Sequence, residues 1–377
     1  MQFIPYSRQC IENDDISAVC DALKNDVITC GEKVSEFENS LCEYIGVKYA
    51  IVMNSATSAL HAGYLALGLG ENDEIITSPI TFAATANAAI MCGANVRWAN
   101  VNEYNGNIDI SSISKLITPR TKIIAPVDFG GLSVDMDEIL AIAKKHNLLV
   151  LDDASHALGS LYKGEKVGKK AHASVFSFHA IKPITTLEGG ALLTNDEKIA
   201  KKARLIRSHG ISKNALWDSD MSMLGYNYRL SDVACALGLN QLKKLDNFIQ
   251  KREKIAMYYD SKLSKEPFSK FLDTIKIPSD FKSSRHLYII KLAPNLRAKK
   301  AEIFSKLQQN GIGVQVHYKP TYEFSFYREK YGTISIPSAK NFYESELSLP
   351  CHQLMSIDEA KFVLSTLKSI LSEISKF

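Results

Sequence analysis

The feature that most constrains this chain is a repeated switch of hydrophobic period between residues 49 and 195. Short β-rich apolar runs alternate with helical stretches. YAIVM (49–53) precedes a small-residue helix beginning near Ser55, and EIITS (74–78) precedes TFAATANAAIMCG (81–93), which ends on a glycine. NVRWA, TKIIAPV and LLVLDD follow, with a helix predicted from Val134 to His146 between the last two. After SVFSF and ALLT, Asn195 is expected to cap a helix running to Arg207. Strands separated by helices cannot close as hairpins. They build a largely parallel sheet covered on both faces, which makes this region a large α/β domain.

The pattern changes near residue 230. A long helix from Ser231 is followed by a second, KREKIAMYYDSKL (251–263), and then by strand HLYIIKL, helix AKKAEIFSKLQQNG, strand GVQVHY, a loop rich in Tyr and Pro, and a final helix from Ile357. A chain of 377 residues has room for two such units. The expected division is a large domain over 1–245 and a smaller α+β domain over 246–377, with residues 1–12 packing on the latter. Residues 208–228 have little periodicity and read as a loop beside a functional region.

Charge is uneven along the chain. Residues 1–100 carry five basic and twelve acidic side chains, and residues 201–300 carry 21 basic and nine acidic, within a total of only +4. Solvated lysine-rich helix faces (Lys243, Lys244, Lys251, Arg252, Lys254) explain most of the excess, and a small anionic ligand is the functional alternative. No basic motif with interleaved aromatics points to nucleic acid. The most apolar stretch, Ala50 to Leu69, is broken by Asn54, Ser55, Thr57, Ser58 and His61, so a membrane span is not expected. The N-terminus lacks the basic leader and apolar core of a secretory signal. The seven cysteines, with no CxxC pair, read as reduced, mostly buried thiols of a cytoplasmic protein.

The densest candidate chemistry lies between 151 and 190. VLDDASH sets Asp152, Asp153 and His156 at the C-terminal end of a predicted strand, where open α/β sheets bind ligands. Lys182 follows in an irregular Gly- and Thr-rich bend between two apolar strands. Taken singly, each has an ordinary reading: the acids as turn caps, His156 as a satisfied core imidazole, Lys182 as a surface-loop residue. The spacing of Asp153, His156 and His172 does not make a metal site. No G-x-S-x-G elbow, G-x-x-x-x-G-K-[ST] loop or G-x-G-x-x-G turn is present. MNSATSAL puts small residues at a strand-to-helix junction, which suits either a phosphate or a plain N-cap at Ser55.

Taken together, FENSLCEYIGVKYAIVMNSATSAL, PITFAATANAA, VDFGG, VLDDASHALGS, SVFSFHAIKPITTLEGGALLT, SHG, GYNYRLSDVACALGLNQL and GVQVHYKPTY resemble the sugar aminotransferases of the DegT/DnrJ/EryC1/StrS family across nearly the whole chain. The resemblance implies the fold type I of pyridoxal phosphate (PLP)-dependent transferases, the aspartate-aminotransferase-like α/β architecture. It implies that Lys182 is the lysine bonded to PLP, with pyridoxamine 5′-phosphate as the aminated form. Asp153 matches the acid paired with the pyridine nitrogen, His156 the residue beside the ring, and Phe82 the stacked aromatic. Ala56, Thr57 and Ser177 match phosphate-binding positions, and Ala56 replaces a glycine found in most of the family. Asn227 matches a residue that reaches the neighbouring subunit's cofactor, which implies a homodimer with shared sites.

Within the family, NSATSAL, SFHAIKPITT, VHYKPTY and SLPCH resemble the branch that aminates C4 of a UDP-linked 4-keto-6-deoxy sugar for pseudaminic acid, with L-glutamate as donor and 2-oxoglutarate as its product. Substrate contacts then fall on Tyr6, Asp26, Val27, Ile28, Thr29, His317, Tyr318, Lys319 and Pro320, together with Ala56, Ser177 and Asn227. Arg229 is a candidate clamp for the diphosphate. The alternatives are C4 amination of another nucleotide sugar, such as the bacillosamine precursor, a PLP sugar dehydratase (which has histidine in place of the lysine), and a catalytically silent binding protein.

Overall fold

In the computed structural model, which describes residues 3–374, the alternating pattern folds into one seven-stranded sheet: β1 (Tyr49–Met53), β2 (Glu74–Thr77), β3 (Asn95–Trp98), β4 (Thr121–Ala125), β5 (Leu149–Asp153), β6 (Ala173–Ser177) and β7 (Gly190–Thr194). The strand order is β1-β7-β6-β5-β4-β2-β3; only β7 runs against its neighbours. Alternate residues feed two apolar layers. Ile51, Ile75, Ile123, Leu151, Val175 and Leu192 face one core, and Val52, Ile76, Ile124, Val150, Phe176 and Leu193 the other. Burial on both faces explains why these strands read as continuous apolar runs.

Local chemistry sets the flanking helices. Ser55 caps α1 (Ala56–Ala66), its side chain accepting from the Ser58 amide at 3.1 Å. Asp135 caps α2 (Met136–His146). The cap of α3 (Glu197–Arg207) is Asp196, which accepts from the amides of Lys198 and Ile199. Asn195, expected as that cap, accepts instead from the Lys48 amide, because its carbonyl oxygen lies at the end of the β7 edge rather than over the helix.

Three further expectations differ. The helix from Ser231 and the one over 251–263 are a single 32-residue helix, α4 (Asp232–Leu263). No glycine or proline interrupts residues 239–263, and the charged KREK stretch is one more helical turn, in which Lys251 and Lys254 are exposed while Arg252, expected on a solvated face, is buried. The 208–228 segment is not wholly irregular: Ile211–Lys213 pairs with Ser219–Met221 as a short hairpin. GVQVHY makes only an isolated bridge, Gln315 with Ser348, because Pro320 and the Pro79 contact described below pull it toward the sheet.

A second sheet, β8 (Leu272–Thr274), β9 (Tyr288–Leu292) and β10 (Glu346–Leu349), is antiparallel throughout and packs with α5 (Lys300–Gln309) and α6 (Ile357–Ile374) around a core of its own. The N-terminal segment joins this unit: Ile4 exchanges backbone bonds with Gly311 and Gly313, and Cys351 donates to the Tyr6 carbonyl. The long helix passes from one core to the other between Ile249 and Ile255. Residues 322–342 cross back, burying Tyr322, Tyr327 and Phe342 in the core of the large sheet. The acidic N-terminus meets the basic middle of the chain at Lys244, whose ammonium lies 2.6–2.9 Å from Glu12, Asp14 and Asp15.

At the junction of the units sits Arg252, fully buried. Its Nη1 donates to the carbonyls of Cys351 (2.9 Å), Arg285 (3.3 Å) and His286 (3.4 Å), and its Nε donates to Gln353 (3.0 Å). Arg252→Ala strands these buried acceptors. It is expected to lower stability by about 2–4 kcal/mol, read as a lower urea midpoint at unchanged slope.

Candidate functional site

The loops after β1, β2, β5 and β6 open at the same edge of the sheet, so four separate sequence motifs converge there. Asp153 ends β5. Its Oδ2 accepts from Thr85 Oγ1 at 2.6 Å, and Thr81 is 2.8 Å from that hydroxyl; its Oδ1 accepts from the Ser155 amide at 3.2 Å. Behind it, burial lifts Asp128 to about 7 and raises Asp152 well above the carboxylate range, and the mutual repulsion of the three acids adds to this.

Lys182 projects from the loop after β6, which Ser7 Oγ fastens by donating to the Ile181 carbonyl (2.9 Å). The lysine is 9% exposed, and desolvation lowers its amine to about 7, opposed by the charge of Asp153. His156 is buried. It accepts at Nδ1 from the Gly130 amide (3.2 Å) and lies 3.3 Å from Tyr318 Oη through Nε2. Burial, with the nearby Lys182 charge, holds it well below the usual histidine value, so the ring is neutral. The phenol of Tyr318 is pushed upward by burial, and its ring lies 6.3 Å from that of Phe82, which is 64% exposed.

The turn after β1 satisfies both of its sequence readings. Ser55 is the cap and takes the Ser58 amide, Ala59 bonds the Ser55 carbonyl, and the first-turn amides of Ala56 and Thr57 have no intrahelical acceptor. Ala56 opens the helix in a right-handed conformation, so its methyl group carries no backbone cost. Ser177 pairs with Gly190 across β6 and β7, and Gly190 abuts the Ala56 backbone. A Cβ at residue 190 would lie 2.5 Å from the Ala56 nitrogen; the glycine is what allows the helix end to approach the Ser177 strand end. Amides and a hydroxyl at one helix N-terminus suit a phosphate dianion.

The small unit closes the site from above. Tyr6 packs on His317 with ring centroids 5.4 Å apart. His317 Nδ1 lies 2.8 Å from Ser348 Oγ, which donates to the buried Glu346; Glu346 also accepts the His317 amide. Burial draws His317 down to about 3. Pro320 is buried and Lys319 exposed, and the Thr321 amide donates to the Pro79 carbonyl, tying this loop to the one carrying Phe82.

A second group lies along the free edge of β1. Asn227 is tied by its carbonyl to Asn54 (3.3 Å) and by its Oδ1 to Arg229 Nε (3.1 Å), and Arg229 bridges Met53. Arg229 lines a cavity of about 450 Å³ with Arg204, Arg207, Glu38, Cys30 and Gly31. Residues 26–29 adjoin it, pinned by the Thr29–Ser231 bridge and the Asp232–Ile28 backbone bond; Val27 and Ile28 are exposed. Among the described residues, no hydrogen bond joins 26–29 to the Lys182 cluster in the same chain. His172, weighed as a metal ligand, accepts from the Val150 amide. Sequence reading missed Thr85, Glu346, Ser348 and His286; the last lies 3.5 Å from the Lys182 amine, and no motif or spacing signals it.

A buried near-neutral lysine and an acid at the C-terminal edge of a sheet in this strand order define an α/β aminotransferase of the aspartate-aminotransferase-like class. The chain belongs to the DegT/DnrJ/EryC1/StrS aminotransferase family, whose model matches residues 9–368. It is 56% identical over 376 residues, 99% of each chain, to the UDP-4-amino-4,6-dideoxy-N-acetyl-β-L-altrosamine transaminase of Campylobacter jejuni. Helicobacter pylori PseC, an aminotransferase of pseudaminic acid biosynthesis, superposes with a TM-score of 0.95 at 41% identity, covering 99% of this chain and 100% of that one. The PLP form of the putative sugar aminotransferase Spr1654 of Streptococcus pneumoniae superposes at 0.93 with 28% identity, over 99% of each chain.

The depressed lysine has a thermodynamic signature. Its folded value, about 7, lies below the ordinary 10.5, so folding carries a penalty that is full below about 7 and fades as pH rises toward 10.5. In cofactor-free protein, Lys182→Met is therefore expected to be more stable than the unsubstituted chain at neutral and lower pH. The difference should shrink steadily on the alkaline side in urea titrations.

Proposed function

We propose that this protein is a PLP-dependent transaminase that moves the amino group of L-glutamate to the C4 keto carbon of a UDP-linked 4-keto-6-deoxy-N-acetylhexosamine, giving UDP-4-amino-4,6-dideoxy-N-acetyl-β-L-altrosamine, a precursor of pseudaminic acid. The single observation that carries the chemistry is the solvent-excluded Lys182 amine held near neutrality beside Asp153. The full-length likeness to the C. jejuni transaminase and to PseC supports the choice of sugar.

The residues present fit the cofactor. The open amides of Ala56 and Thr57 and the Ser177 hydroxyl form a phosphate cradle that a side chain at residue 190 would fill. Asp153 would pair with the ring nitrogen, His156 and Phe82 would flank the ring, and Lys182 would hold the aldehyde carbon. When bound, PLP supplies an electron sink for the carbon that loses its proton and carries the amino group between substrates.

Each protein group has a definite task in this scheme. Lys182 Nζ, lowered by burial to about 7 and so partly neutral there, would be the base for the proton on the substrate carbon and would hold that proton until it is given back. Thr85 holds the Asp153 carboxylate in place at 2.6 Å. Neutral His156 orients Tyr318, and the loop from His317 to Pro320, with Tyr6, borders the sugar. Arg229 would clamp the nucleotide diphosphate, residues 26–29 would contact the nucleotide sugar, and Asn227 would reach the phosphate of a second subunit's cofactor. Support for that homodimer comes from the exposed apolar set Val27, Ile28, Leu187, Leu216, Trp217, Met221 and Leu224. Cytoplasmic residence fits seven free thiols. No helix among the described residues is long and apolar enough to cross a membrane.

The test loads the protein with cofactor and glutamate, then supplies the two C4-keto UDP-sugar isomers separately and identifies the products by NMR. Amination of the L-arabino isomer in preference to the D-xylo isomer is expected; the reverse preference rejects the pseudaminic assignment, and no amination of either rejects the transaminase. Lys182→Ala is expected to keep the fold and lose turnover by at least about 10³-fold.

A further inference from the structure

His286 stands two residues before the start of β9, and the contacts that fix it come from three directions. Its carbonyl, and that of Arg285, accept from Arg252. The next amide, Leu287, donates to the Gly130 carbonyl, and two residues earlier Ser284 donates its hydroxyl to the His156 carbonyl at 2.7 Å and its amide to Ser160 Oγ at 2.9 Å. The imidazole lies against His156, ring centroids 4.5 Å apart, and its Nε2 is 3.5 Å from Lys182 Nζ. The other nitrogen, Nδ1, is shut off from solvent with no hydrogen-bond partner.

Burial, and after it the charges of Lys182, His156, Arg252 and His317, keep this imidazole well below the usual histidine value. Asp153 is the acid acting on the lysine. A neutral imidazole has one N–H. If Nδ1 carried it, a donor would be buried unpaired; if Nε2 carries it, only an acceptor is left over, and the N–H points to the lysine. An orphaned acceptor is the more readily tolerated of the two. The lone pair of a neutral amine is the partner that such an N–H requires.

We propose that His286 is a positioning residue for the free Lys182 amine: its Nε2–H holds the neutral side chain in place while it is not bonded to cofactor, before it takes a proton and again once it has given that proton up. The inference rests on the proposed role of Lys182. It concerns a contact made within the chain, so it can be measured with no cofactor present. Lys182 belongs to the large sheet and His286 to the small unit, 104 positions later. The two parts of the chain thus meet at the reacting amine itself.

The test compares His286→Leu, which removes the donor, His286→Gln, whose amide reaches the Nε2 position, and His286→Asn, whose amide stops at the Nδ1 position. In cofactor-free protein, competitive acetylation followed by peptide mass spectrometry reads the pH at which Lys182 becomes reactive. A hydrogen bond to the neutral amine favours that form, so the Leu variant should shift the midpoint upward, and Gln should restore it. A role in packing alone leaves the midpoint in place or lowers it, since leucine only makes the pocket drier. With cofactor bound, the single-turnover reaction with glutamate should slow about 10- to 100-fold in the Leu variant with its half-saturating glutamate concentration nearly unchanged, and Gln should recover most of the rate. Should the Leu chain fail to fold, the Gln and Asn pair decides: Gln is expected to exceed Asn in rate and to keep the unsubstituted labelling midpoint. A Leu variant that matches the unsubstituted protein, or a Gln variant no better than Leu or Asn, overturns the inference. If the unsubstituted protein itself transfers no amino group, the functional reading fails, while the labelling comparison still decides the contact.

Discussion

A primary amine excluded from water, a few ångströms from an imidazole and within the field of a carboxylate, is the constraint around which this molecule is arranged. Desolvation alone drives the Lys182 amine down to about 7, and Asp153 opposes that shift. The balance is needed because a permanently charged lysine is no base and a lysine far from any carboxylate would have no electrostatic counterpart for a cationic ligand. Keeping the amine dry requires a lid, and the lid comes from the second unit: the 317–321 loop anchored on Pro79, the 284–287 turn anchored on Gly130 and His156, and the N-terminal strand segment at Tyr6 and Ser7. The candidate catalytic groups come from the sheet edge and the dryness from elsewhere in the chain.

Much of the sheet and part of this site were legible in the residue string. The seven strands announced themselves because burial on both faces leaves continuous apolar runs, and Asp153 and His156 stood out because they follow such a run at the end where ligands bind. Lys182 on its own was ambiguous, since a lysine beside a proline in a Gly- and Thr-rich bend is commonplace; only the order of many motifs singled it out. His286, Thr85, Glu346 and Ser348 were invisible for a physical reason. Each makes its contact across tens or hundreds of positions, and each is an ordinary residue in an ordinary strand, helix or turn. The long helix was divided in two because a polar run imitates a linker, although nothing in it breaks a helix. The two halves of the expected binding residues also separate in space, with residues 26–29 and Arg229 flanking β1 rather than Lys182, and a local reading of a linear string has no means of showing that.

Charge is handled by pairing in the surface layer and is weakened by desolvation inside. Lys244 gathers three acids of the N-terminal segment, so the acidic start and the basic middle of the chain meet at one ammonium. In the interior, Glu346 and Lys300 draw toward each other's neutral forms: burial raises the acid to about 7 and lowers the amine to about 8, each partner's charge working against the shift. That acid orders Ser348 and His317 together, so the tilt of an imidazole at the mouth of the cleft is decided by a carboxyl on β10.

Arg252 has a mechanical consequence. One guanidinium grips the chain at 285–286 and again at 351, two places far apart in sequence, from a helix whose other end is embedded beneath the large sheet. A swing of the smaller unit that left this grip intact would carry the 285–286 turn along with the helix, as a door carries its latch. Any breathing that admits a bulky substrate must therefore bend somewhere other than this clasp, and the loop over residues 317–321 is tied down separately, by the Thr321 contacts to Pro79.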